Sequence, residues 1–116
     1  VLGKGCSHPR NFGTFPRVLA HYVRQLKVIG LAAAIHKMTG MPARRLGLRR
    51  RGRIAAGQVA DLTVFDPDQI QDHATFANGN AFATGLNLVL LAGNIALRDD
   101  VPAPRGFGRV LRRGDA

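Results

Sequence analysis

The sequence predicts an α+β chain, with helices first and strands after, and three observations carry that expectation. An apolar stripe at helical spacing runs from Phe15 to Leu26, apolar and polar residues alternate from Ala60 to Phe65, and residues 87–97 read as two strands about a Gly-containing turn. No strand–helix–strand alternation is visible, so a doubly wound parallel sheet is not expected.

Taken in order, residues 1–14 read as a loop, because Gly3, Gly5, Pro9 and Gly13 break any periodicity. Thr14 is the expected N-cap of the first helix, and Pro16 falls in its first turn, where a missing N–H does no harm. Phe15, Val18, Leu19, Tyr22, Val23 and Leu26 then share one face, with Arg17, His21, Arg24 and Lys27 off it. Gly30 is the expected break before a second helix, in which Leu31, Ala34, Ile35 and Met38 repeat the spacing until Gly40 and Pro42 end it. A short helical turn, Pro42 to Leu46, follows. Residues 48–53, LRRRGR, form a charged connector and the expected boundary between a unit of residues 1–47 and a unit of residues 48–116. Beyond it, Gly57 and Gln58 form a turn ahead of the first strand, residues 67–86 look irregular, and Ala92-Gly93-Asn94 joins a hairpin. The tail, GFGRVLRRGDA, is expected to add a short edge strand. Both helices carry broad apolar stripes, and these strands are too few to cover them.

At 116 residues with 46% hydrophobic content, the chain can form one small core and is not disordered throughout. Its longest apolar runs, Leu88 to Ala92 and Ile29 to Ile35, fall well short of the ~20 residues of a membrane helix. The single cysteine, Cys6, cannot form an internal disulfide, and no signal peptide is visible, so a cytoplasmic location is expected. Seventeen Lys and Arg against seven Asp and Glu give a net charge of +10, a balance that suits an anionic partner or the basic end of a longer chain. Aromatic residues are only 6% and Trp is absent, and no aromatic-interleaved basic stretch occurs. Specific nucleic-acid recognition is therefore not expected, while weak phosphate attraction follows from charge alone.

Three stretches, HPRNFGTFPRVLAHYVRQ, AIHKMTGMPARRLGL and RGRIAAGQVADLTVFDPDQIQDHATF, occur in this order. Together they resemble the C-terminal end of the N-acyl-D-amino-acid deacylases (D-aminoacylases) of the amidohydrolase superfamily. The resemblance runs from about His8 onward and weakens after Phe76. It implies a fragment: the terminal helices of a (β/α)8 metal-dependent hydrolase barrel, followed by strands of a small β-sandwich. Residues 1–47 would be the loop and helices after the last barrel strand, and residues 48–116 the C-terminal part of the sandwich. The uncovered helix stripes would then face a barrel sheet that this sequence does not contain. A start at Val1 rather than Met agrees with a fragment.

The family reaction is hydrolysis of the amide of an N-acyl-D-amino acid by a zinc-activated water, with an aspartate in a Ser-Asp-Gly context as base. The resemblance places that aspartate and the metal ligands before Val1, so zinc has no ligand set within this chain and the isolated chain is expected to be inactive. It assigns Arg10 to the pocket, where a guanidinium fork suits the carboxylate of the substrate. His8 is a second candidate contact, or only a group that orders the turn before Pro9. Arg17 either supports the loop of Arg10 or sits on a solvated face. Cys6 is read as inert, His21, His36 and His73 as surface residues without metal-ligand spacing, and Asp61 as structural despite its ADLTVFD setting. Two other readings stand beside this one: a basic binding module for nucleic acid or another anionic partner, and a structural subunit completed by another chain.

Overall fold

The computed structural model describes residues 7–111; Cys6 lies outside them, as does the end of the basic tail. Three α-helices come first, α1 (Arg10–Arg17), α2 (Leu31–Met38) and α3 (Gly40–Leu46), with a π-helical stretch, Val18–Gln25, continuing α1. Four strands follow, β1 (Leu62–Phe65), β2 (Leu86–Leu91), β3 (Asn94–Arg98) and β4 (Val101–Pro102), in one antiparallel sheet of order β1-β2-β3-β4. The α+β arrangement expected from the pattern is what the chain adopts.

The first helix begins earlier than its capping signals suggest. It starts at Arg10 with Pro9 as N-cap, and Thr14 lies inside it, its hydroxyl donating to the Arg10 carbonyl at 2.5 Å. Threonine can satisfy its hydroxyl on the preceding turn as well as at a cap, and here it does the former. Pro16 therefore sits within the helix rather than at its first turn; it has no N–H to offer the Phe12 carbonyl, and the winding opens at Val18, two residues on. Bonds of the wider i→i+5 type then appear, such as the Leu26 N–H to the His21 carbonyl at 2.8 Å. This winding splits the expected stripe. Leu19 is buried and Val18 and Val23 are half-buried, while Phe15, Tyr22 and Leu26 are exposed.

The first helical run ends at Gln25 with Leu26 as C-cap, and Gly30 is the N-cap of α2, as its position suggests, although it supplies no side-chain cap. Thr39, with an irregular backbone, separates α2 from α3, so Gly40 and Pro42 open the third helix rather than end the second. Gly47 closes α3 in the left-handed region at φ 72°, the conformation glycine enters most readily.

The β2–β3 hairpin turns on Ala92 and Gly93, with φ of 49° and 83°, and Leu91 pairs with Asn94 across it. Two central residues at positive φ match the right-handed strand twist. Asp99 and Asp100 repeat the device between β3 and β4 at φ of 48° and 63°. The Asp100 carboxylate then accepts from the N–H groups of Gly85 and Leu86 at 3.0 and 2.8 Å, which fixes the start of β2. The fourth strand comes from Val101–Pro102, not from the GFGRVLRRGDA tail, which has no strand among its described residues. A proline there leaves that edge one donor short and so resists further pairing. Asp61 is structural as expected: it accepts from the Ala92 N–H at 2.8 Å and forms an ion pair with Arg51.

The buried apolar set is small: Leu19, Ala20, Ala34, Ala43, Ile70 and Ala74. Ile70 is the largest fully buried side chain, and it lies in the irregular stretch between β1 and β2. Gly85 makes this possible. At φ +86° a Cβ there would sit 2.6 Å from the Ile70 nitrogen and 2.7 Å from its Cα. Gly93 also has positive φ but faces open space. Gly93→Ala should therefore cost only the left-handed penalty, about 1–2 kcal/mol. Gly85→Ala should cost clearly more, because the collision with Ile70 adds to it; urea midpoints of the two variants compare the losses, and equal losses would count against this packing.

Candidate active-site segment

The stretch between β1 and β2 folds back onto the first helical run and forms a cavity with it. Arg24, on the π-helical stretch, ties the two together. Its guanidinium donates to the carbonyls of Pro67 at 3.0 Å and Ile70 at 2.8 Å and to Gln71 Oε1 at 3.0 Å. Gln71 passes the link on, its Nε2 donating to the Asp72 carbonyl at 3.0 Å. Seven residues nearer the N-terminus, Arg17 pairs with Asp72 at 3.2 Å. The Asp72 side chain is only 7% exposed while that of Arg17 is 52% exposed, so a buried carboxylate meets a guanidinium that is half in water. Gly13 is buried against Asp72 and Ala74, where an added Cβ would just reach contact at 3.4 and 3.5 Å.

These contacts enclose about 520 Å3 between α1 and residues 72–76. His8 and Arg10 stand at the rim, Arg17 and Asp72 form the polar wall, and Val18, Tyr22, Ala74 and Phe76 give an apolar side. The structure thus brings both sequence candidates, His8 and Arg10, to one cavity. Arg10 is the first residue of α1 and exposed, and its guanidinium has no ion pair or hydrogen bond among the described residues. His8 is engaged: its Nδ1 accepts from the Arg10 N–H at 3.2 Å, and its ring meets Phe76 edge-on at 5.2 Å between centroids. It satisfies one of the free N–H groups at the start of α1 and orients the residue beside it.

The other histidines lie apart. His21 bonds to Gln25 at 2.8 Å, His73 to the Thr84 hydroxyl at 2.8 Å, and His36 lines a separate cleft beside α3. Among the described residues no group of three or more His, Cys, Asp or Glu could hold a metal ion. The donor set of this segment therefore does not fit a zinc site, and no metal-dependent step is assigned to it.

The model of the amidohydrolase family matches residues 3–97. The chain belongs to the amidohydrolase family. It is 45% identical over 106 residues to the D-aminoacylase of Alcaligenes xylosoxydans xylosoxydans and 44% identical over 106 residues to the N-acyl-D-glutamate deacylase of the same organism. Each match covers 91% of this chain and 22% of the relative, so the chain spans about a fifth of the length of these amidohydrolases. Among solved structures it is similar to a mutant D-aminoacylase in complex with CuCl2, with TM-score 0.86 and 44% identity over 91% of this chain and 22% of that one. It is also similar to the N-acyl-D-glutamate deacylase of Bordetella bronchiseptica complexed with zinc and a phosphonate inhibitor, with TM-score 0.79 and 38% identity over 85% of this chain and 20% of that one. The D-aminoacylase resemblance carried by HPRNFGTFPR and MTGMPARRLGL holds.

Asp72, Arg24 and Tyr22 were not singled out as site residues by sequence reasoning. Asp72 and Phe76 stand within QIQDHATF, so the similarity itself was the available signal, and periodicity offered none. The two arginine links should differ in weight. Arg24→Met strands the part-buried Ile70 carbonyl and should lower stability by about 1–3 kcal/mol. Arg17→Met breaks a half-exposed pair and should cost under about 1 kcal/mol; urea denaturation of both variants checks the order.

Proposed function

We propose that this chain is the segment of an N-acyl-D-amino-acid deacylase that presents Arg10 to the carboxylate of the substrate. The observation that carries the reading is the exposed Arg10 guanidinium, without a partner among the described residues, at the rim of a cavity whose other charges, Arg17 and Asp72, neutralise each other. An acyl amino acid offers one carboxylate at neutral pH, and a bidentate guanidinium contact would orient it. The relatives named D-aminoacylase and N-acyl-D-glutamate deacylase support this substrate class. His8 acts by setting the first turn of α1 and stands beside the same substrate group.

In this reading residues 1–47 are the loop and helices that follow the last strand of a (β/α)8 barrel, and residues 48–116 the C-terminal share of a small β-sandwich. The exposed Phe15, Tyr22, Leu26, Val28 and Leu31 support it, since a missing sheet would leave such a face uncovered. Zinc, which the Bordetella enzyme holds in its structure, would polarise the scissile carbonyl from ligands outside this segment. Arg10 binds and orients, and the proton-transferring base is likewise supplied from outside.

The test is an exchange of residues 7–97 for the matching segment of the Alcaligenes D-aminoacylase. The zinc-loaded chimera should hydrolyse N-acetyl-D-amino acids, and the isolated chain should not. In the chimera Arg10→Gln should raise KM for the free acid by about 10–100-fold, the loss of a charge-assisted hydrogen bond. It should leave KM for the corresponding carboxamide nearly unchanged. Equal effects on acid and carboxamide would remove Arg10 from carboxylate recognition.

A further inference from the structure

The arginine run at residues 49–53 has no part in the cavity of Arg10. It folds back over α3, and Arg44, Arg49, Arg51 and Arg53 line, with His36, a cavity of about 550 Å3. Arg51 is neutralised by Asp61. Arg44, Arg49 and Arg53 have no ion pair or side-chain hydrogen bond among the described residues, and no acidic residue lines the cavity. Acid is scarce along the whole first half of the chain, for no Asp or Glu precedes Asp61.

The cluster is held in place. Gly52 adopts φ +80°, and a Cβ there would strike the Ala43 Cβ and lie 2.9 Å from the Thr39 carbonyl oxygen. Gly40 answers from the other side, where a Cβ would lie 3.2 Å from the Gly52 carbonyl oxygen. Two glycines facing each other thus let the arginine loop press against the start of α3. Arg50 pins the outer side, its Nε donating to the Gly57 carbonyl at 3.2 Å and its own carbonyl accepting from the Val59 N–H at 2.9 Å. The flanking arginines converge on one concavity because the backbone between them is fixed at both edges.

We propose that this cleft binds an oligophosphate, a linear di- or triphosphate, either inorganic or as the tail of a nucleotide. Several uncompensated guanidinium forks around one cavity match the several oxyanions of such a chain. The cavity is far larger than one phosphate group needs. Its one ring is that of His36, with no Phe or Tyr in the lining, so it lacks the succession of aromatic platforms on which a strand stacks its bases, and a nucleic-acid strand is the less suitable occupant.

Calorimetric titration of the full chain with sodium tripolyphosphate tests this at about 150 mM salt, where exposed charges more than ~8 Å apart are screened. Saturable, stoichiometric binding is expected. The combined variant Arg44→Ala, Arg49→Ala, Arg53→Ala should weaken it by at least about tenfold. A control with the same charge loss, Arg98→Ala, Arg105→Ala, Arg109→Ala, should stay within about twofold. A folded-state circular dichroism spectrum of each variant accompanies the titration, and the single variant Arg53→Glu should show the same loss if the combined one unfolds. ATP in place of tripolyphosphate separates the sources: equal affinity assigns an inorganic chain, tighter binding a nucleotide tail. Absence of saturable binding would overturn the proposal. So would equal weakening in both triple variants, or single-stranded DNA binding more tightly than tripolyphosphate with no dependence on Arg53.

Discussion

Arg24 is the contact on which the arrangement around Arg10 depends. Its guanidinium satisfies two carbonyls of a segment without regular structure, and it reaches them from a helical run more than forty residues earlier in sequence. An irregular segment that packs against a helix must find partners for the backbone polar groups it turns inward. By supplying those partners, Arg24 allows Pro67 to Gln71 to lie on the helix, and Ile70 to become the largest fully buried side chain. Asp72 follows directly after, and the wall facing Arg10 is in place. A methylene stem with a rigid donor fork suits this task, because it packs along an apolar surface and still bonds at its tip.

The packing around that contact is sparse in large side chains. Alanines make up most of the buried set, and close approaches involve glycine: Gly85 against Ile70, and Gly52 against Ala43. Small residues bury little apolar area each, at roughly 25 cal/mol per Å2. Polar ties such as Asp100 to the β2 start and Asp61 to the hairpin turn accordingly carry a large share of the specification. Asp61 does both, capping the hairpin turn and offsetting Arg51, while Asp100 spends its carboxylate on the β2 start.

Sequence reasoning read the helices-then-strands order, the hairpin and the structural role of Asp61 correctly, because each rests on local chemistry. Gly93, with Asn94 beside it between two apolar runs, signals a tight turn, and β2 and β3 flank it within a few residues. The start of α1 was misplaced because Thr14 has two uses for its hydroxyl, and spacing cannot say which carbonyl or N–H it will meet. His8 and Arg10 were legible through the HPR triplet and its likeness to D-aminoacylases. Asp72 was not, since its partner Arg17 lies 55 positions away and no periodicity links them. The β4 strand was missed for a related reason: it forms because Asp99 and Asp100 both accept positive φ, an uncommon choice for two consecutive side-chain-bearing residues.

The π-helical stretch between Arg17 and Leu26 has a geometric consequence. A wider turn holds more residues, so the same number of positions sweeps a smaller total angle about the axis than it would in an α-helix. The azimuth between Arg10 and Arg24 is thus fixed by winding as much as by the count of residues between them. Were Val18–Gln25 to tighten to α-helical winding, Arg24 would rotate away from the Pro67 and Ile70 carbonyls while Arg10 kept its place, and the loop would lose its tie without any change of sequence. The phase of this helical segment, as much as the identity of Arg24 on it, decides whether the loop stays tied to the helix.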